Sequence, residues 1–175
     1  MRRRRFLKLG VAGLLSMAAG RTLAAMPDRT LSLYNIHTGE QLNTTYWADG
    51  VYVAASLDEI NHVLRDYRTN ETMNMDSRLL DLLHAVRSML GGSLPFHVIS
   101  GYRSAATNAY LAETSSGVAR KSLHMKGQAA DIFLPGSDLP SLRRAALDLN
   151  LGGVGYYPRS NFVHVDVGRV RAWQG

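Results

Sequence analysis

Between Thr30 and Val53 apolar and polar positions alternate with a period of two. TLSLYNI reads as a strand, HTGE as a turn, QLNTTYW as the returning strand, and ADG turns the chain again into VYVA. The period then lengthens. Ser56-Leu57-Asp58-Glu59 has the form of a capping box, which predicts a helix to about Tyr67. RTNETMNM is polar and predicts a loop. Asp76 can cap a second helix through Leu90, with Leu79, Leu82, Leu83, Val86 and Leu90 on one face and Gly91-Gly92 closing it. PFHVIS is a short apolar run, a buried strand that leads into GYRS. A helix is predicted from about Ala105 to Glu113, then a polar loop to Lys121. SLHMKGQAAD leads into AADIFL, another strand. Ser137 is the predicted cap of a helix over LPSLRRAALDLN. VGYY and FVHVDVG are the last two predicted strands, joined by PRSN.

Hairpins mixed with helices, in place of regular strand–helix alternation, predict an α+β fold. The expected form is a single domain with a largely antiparallel central sheet flanked by helices. A chain of 175 residues is long enough to bury a sizeable core. No internal repeat, low-complexity tract or interdomain linker divides it.

The formal net charge of +6 changes this picture less than it promises. Six of the 20 basic residues (Arg2, Arg3, Arg4, Arg5, Lys8 and Arg21) lie in the first 25 positions, which hold no acid; the other 14 balance the 14 acids. No basic patch remains to bind nucleic acid by counterion release. The basic head is followed by an apolar run from Leu9 to Ala19 and by small residues. This is the form of an export signal, cleaved after Ala24 or Ala25, with an apolar run short for a membrane span; an uncleaved anchor is the alternative. RRRRFLKLG resembles the twin-arginine export consensus, with Arg3-Arg4 as the pair. Residues 1–25 are therefore expected to be a signal peptide and 26–175 the working domain, located in the periplasm without stable membrane insertion. The absence of cysteine means that any transition metal must be held by His, Asp or Glu.

Alternation along FVHVDVG puts Phe162, His164 and Asp166 on one face and Val163, Val165 and Val167 on the other. The valine face is core. The opposite face carries a histidine beside an aspartate. Asp131 enters the apolar strand AADIFL, where a carboxylate is costly to bury unless paired or bound to a cation. His124 precedes it by seven positions. Two histidines and one aspartate suit zinc, and three protein ligands with an open fourth position form the catalytic arrangement. His62 and His84 fall in predicted helices and His97 in a buried strand, so packing is the expected role of each. His37 lies in a turn and is expected to be structural, although that turn can border a groove. Tyr156 and Tyr157 can line a cleft or fill the core edge.

SLHMKGQAAD resembles the S-x-H-x-x-G-x-A-x-D signature of a family of zinc peptidases. The family includes bacterial D-alanyl-D-alanine carboxypeptidases and dipeptidases and phage cell-wall endolysins. LYNIHTGE and YYPRSNFVHVDVGR, with the twin-arginine head, resemble an exported branch of murein endopeptidases over most of the mature chain. The resemblance implies a hedgehog/DD-peptidase-like fold, with His124, Asp131 and His164 as ligands to Zn2+. It places Arg103 of SGYRS, with Tyr102 beside it, and Ser122 at the substrate. Peptidoglycan stem peptides are then the substrate, and their cross-links the bonds cut. Trimming of terminal residues as a carboxypeptidase, and a non-catalytic zinc-containing cell-wall-binding module, are the alternatives. One departure stands out. Relatives place the general base two or three residues before the third ligand, where this chain has Phe162 and Asn161. Neither takes a proton from water. Asp166, on the same strand face as His164, is the expected base by reach. Support of His164 and direct ligation are its other possible roles.

Overall fold

The computed structural model describes residues 27–115 and 118–175. The predicted signal peptide lies outside them. The chain runs β1 (Arg29–Asn35), β2 (Gln41–Ala48), β3 (Val51–Tyr52), α1 (Ala54–Val63), α2 (Ser77–Leu90), β4 (Phe96–Ser100), α3 (Ala105–Thr114), a 3-10 turn at Leu123–Lys126, β5 (Ala129–Phe133), α4 (Leu139–Leu149), β6 (Gly153–Tyr157), β7 (Phe162–Asp166) and β8 (Arg171–Gln174). All eight strands form one sheet in the order β3-β2-β1-β4-β5-β7-β6-β8. Only β1–β4 and β6–β8 pair in parallel; the other pairs are antiparallel. The fold is thus the expected single-domain α+β arrangement.

The core follows the alternation. Leu31, Leu33, Phe96, Val98, Ile132, Val163 and Val165 point inward from the strands, and Leu79, Leu82, Leu83 and Val86 from α2. α1 packs on β1 and β2, α2 on β1, and α4 on α2, β6 and β7. Asp76 caps α2 as expected, its carboxylate accepting from Arg78 N. It also accepts from the Gln128 side chain, and its amide donates to Gly127 O. The cap therefore ties α2 to the loop that carries His124.

Three expectations are corrected. Ser56 does not cap α1, which begins at Ala54 after Val53 with no side-chain cap. Ser56 lies within the first turn, buried, and receives a hydrogen bond from Thr44 Oγ1 at 3.0 Å. That helix ends at Val63, short of Tyr67, because the chain turns tightly through a bridge between Asp66 and Glu71. The cap of α4 is Asp138, accepting from Ser141 N at 2.6 Å, and not Ser137. A further strand, β8, follows the two that the pattern predicts last. It pairs with β6 and not with its sequence neighbour β7. The segment is short and its residues are at most half-buried, so it carries little periodicity.

Candidate active site

Asp131 on β5 and His164 on β7 lie directly opposite each other in the antiparallel ladder. His124 comes from the 3-10 turn that precedes β5. Ser122 caps that turn, accepting from His124 N at 3.3 Å, and Gly127 ends it with φ +65°. A side chain at Gly127 would be strained, and its Cβ would come within 2.7 Å of Asn74 O. The turn thus reverses closely enough for His124 to fold back over β5.

The three side chains converge. His124 Nε2 lies 3.1 Å from His164 Nδ1 and 3.3 Å from Asp131 Oδ1, and His164 Nδ1 lies 2.8 Å from Asp131 Oδ1. Ligand atoms about 2.0–2.1 Å from a tetrahedral ion are roughly 3.3 Å apart, so the triangle fits a zinc-sized cation. The far sides of the rings fix their tautomers. His124 Nδ1 is 2.7 Å from Gly101 O, an acceptor only, so Nδ1 carries the proton. His164 Nε2 is 3.0 Å from Asp166 Oδ2, which places its proton there. Nε2 of His124 and Nδ1 of His164 then present lone pairs toward a carboxylate oxygen. With both rings neutral, three buried acceptors face one another and could hold a metal ion between them.

The electrostatics of His124 and Asp131 agree, while those of His164 favour its protonated ring until a cation takes the proton's place. Burial pushes the His124 imidazole below its usual range, favouring the neutral form that binds metals. Burial would raise the Asp131 carboxyl, but the two histidines outweigh it and hold it well below the usual carboxylate range. Burial would lower His164, and its hydrogen bonds to Asp131 and Asp166 raise it instead.

Asp166 sits behind His164, on the side away from the other two donors. It has no exposure. Oδ1 accepts from Gly153 N, Gly168 N and Arg171, and Oδ2 from His164 and Arg171. Burial would raise its pKa, but these donors hold it below the usual range. Arg171 also lies over the Trp173 ring at 4.8 Å, and Trp173 faces the His164 ring at a centroid distance of 5.2 Å. β8 therefore braces His164 from behind.

The donor cluster forms part of the wall of a cleft of about 610 Å³. Arg103 and Ser122, both named from the sequence, line it. Arg103 donates to Asp131 Oδ2 and to Ser100 Oγ, which leaves Asp131 Oδ1 to the donor triangle. Tyr102 is 9% exposed, packs in the core and does not line the cleft. Its amide is tied to Leu64 O, and the succeeding residue, Arg103, is the one that reaches the cleft. Tyr157 lines the cleft, stacked on Phe162 at 4.5 Å, while Tyr156 packs against the core. His37 also borders the cleft, stacked on Tyr67. His97 lies between Tyr34 and Phe133, and His62 and His84 bond to Glu40 and Thr30 O. The pattern gave no sign of Tyr67, Arg68, Arg171 or Trp173. Their place in the cleft depends on contacts far apart in sequence.

An α+β sheet with a buried His–Asp–His cluster in a peptide-sized cleft defines the class of the metallopeptidases. Within that class, the family model described as Peptidoglycan L,D-endopeptidase MepK matches residues 23–173, and the chain belongs to this family. Peptidoglycan L,D-endopeptidase MepK of Escherichia coli (strain K12) is 45% identical over 175 residues, covering 98% of this chain and 96% of that protein. The protein of that name in Shigella flexneri matches equally. A probable peptidoglycan L,D-endopeptidase MepK of Haemophilus influenzae is 39% identical over 178 residues, covering 99% and 96%. The chain is therefore a peptidoglycan peptidase.

Proposed function

We propose that this protein is a zinc-dependent murein endopeptidase that hydrolyses peptide cross-links between stem peptides in the periplasm, after export by the twin-arginine route. The relatives' names favour L,D-endopeptidase action, and the resemblance to the exported branch favours cross-links that include those between two diaminopimelate residues. The observation that carries the zinc reading is the triangle of lone-pair donors on His124, Asp131 and His164, closed on its far side by fixed tautomers.

In this reading those three residues, on the wall of the cleft, would hold the ion. A zinc ion there supplies Lewis acidity at the scissile carbonyl and a water acidic enough to attack near neutral pH. Asp166 orients His164 by accepting from Nε2, which turns Nδ1 toward the other two donors. With both oxygens already occupied by donors and no exposure, it is assigned this supporting role and not that of general base. Arg103 holds Asp131 by its second oxygen and presents its remaining edge to the peptide. Ser122 positions His124 at the cleft wall.

The test is a digestion. The mature protein, from Met26 onward, is incubated with purified sacculi with added zinc or with a chelator, and the muropeptides are weighed. Zinc-dependent loss of cross-linked dimers with gain of monomers is expected. Loss of single terminal residues would make it a carboxypeptidase, and an unchanged profile from zinc-loaded protein would make it a binding module.

A further inference from the structure

Four cations line the cleft: Arg68, Arg103, Lys121 and Arg171. Two are spoken for, Arg103 by Asp131 and Arg171 by Asp166. Asp131 is the only carboxylate among the described lining residues, and the donor cluster uses it. Arg68 and Lys121 have no acidic partner among the described residues. The cleft is therefore built for an anionic occupant.

Of the two, Arg68 is the one held in place. Its guanidinium lies 4.3 Å over the Tyr67 ring, and that ring stacks on His37 at 3.9 Å with an interplanar angle of 16°. His37 is fixed in turn by Nε2 on Ile99 O at 3.0 Å and by its amide on Asn35 Oδ1 at 3.0 Å. Beneath the stack, the buried Asp66 accepts from Arg68 N and from Ser104 N, which anchors the loop to the start of α3. The Asp66–Glu71 bridge closes that loop. A guanidinium spread on an aromatic face keeps its N–H edge free and loses little freedom on binding, which suits bidentate capture of a carboxylate. Both residues are exposed, but Lys121 lies over no aromatic ring among the described residues and so has no such fixed edge.

We propose that the His37–Tyr67–Arg68 stack is a carboxylate subsite of the cleft, with Arg68 binding a free carboxylate of the stem peptide and so setting specificity for unamidated peptide. This rests on the reading of the protein as a stem-peptide peptidase. Stem peptides carry such groups on D-glutamate and on the second centre of diaminopimelate, and either can be converted chemically to the amide.

The experiment compares the zinc-loaded wild type with Arg68→Gln and Arg68→Lys. The probes are purified cross-linked muropeptide dimers with both groups free, with the glutamate carboxylate amidated, or with the diaminopimelate carboxylate amidated. The wild type is expected to prefer the free dimer over one amidated form by roughly tenfold in kcat/KM, carried by KM. Arg68→Gln should lose that preference through activity on the free dimer and match the wild type on the amidated one. Arg68→Lys should recover part of it. Equal loss on all three dimers, or no loss on any, overturns the subsite. Calorimetric binding of uncleaved muropeptides to the metal-free proteins separates the two readings. If the wild type binds the free form better, Arg68→Gln does not, and neither cuts, then the subsite stands and the endopeptidase reading falls. If the wild type cuts dimers but binds free and amidated forms alike, the endopeptidase reading stands and the subsite falls.

Discussion

Asp166 takes five hydrogen bonds on two oxygens, and the one that matters for the site comes from His164 Nε2. Replacing it with asparagine removes the charge that fixes the tautomer and offers an amide N–H toward a nitrogen that already carries a proton. Zinc affinity of Asp166→Asn is expected to fall by about 10–100-fold, as read by competition with a chromogenic chelator. A variant that keeps wild-type affinity but does not turn over would return Asp166 to the role of base. Strand alternation put Asp166 on the face of His164, correctly. It could not say which side of the imidazole the carboxylate would meet, because that depends on Arg171 and two amides drawn in from elsewhere.

At the scale of elements, β8 supports the site from behind. Gly155 on β6 pairs with Trp173, and a Cβ there would come within 2.6 Å of the indole. Gly155→Ala should therefore push Trp173 and Arg171 away from His164. We expect a stability loss of about 1–3 kcal/mol by denaturant titration, together with weaker zinc binding in the same competition assay. Asp76 offers a contrast, since its cap lies on the other side of the His124 loop. Asp76→Ala should cost about 1 kcal/mol of stability. The three helices with caps predicted from the sequence show what was legible. The Asp76 cap was read correctly. The serine caps were not, because a buried partner at Thr44 claimed Ser56 and the adjacent Asp138 displaced Ser137.

At the scale of the whole molecule, acid should weaken the fold before it reaches the buried core. Arg65 foremost holds Glu40 down from 4.5 to about 2, and Arg78 foremost holds Asp76 down from 3.8 to about 2. Both folded values lie below the unfolded ones. Their contribution is thus fully present above about pH 4.5 and is lost as pH falls toward 2. Thermal melts of the metal-free protein should show a falling Tm over that window, and a smaller fall in Glu40→Gln. Metal acts in the opposite sense. Zinc at about 100 times its Kd should add roughly 2.7 kcal/mol, seen as a rise in Tm that a chelator reverses. No helix among the described residues is long and apolar enough to cross a membrane.

The sequence by itself determined most of the elements, β8 excepted, and named the three candidate donors. Apolar periodicity is local, and it reports burial whatever the partner. The signature around His124 and Asp131, with His164 on a strand whose other face is valine, named three residues that do meet. Tertiary structure alone decided the rest: which oxygen of each carboxylate faces the donors, that β8 skips β7 to pair with β6, that Tyr102 turns inward while Arg103 turns out, and that His37, Tyr67 and Arg68 stack into one wall. Each of these is a choice between partners distant in the chain. Such choices are made by sheet register, close packing and the pairing of buried charge, and no window of sequence contains both sides of them.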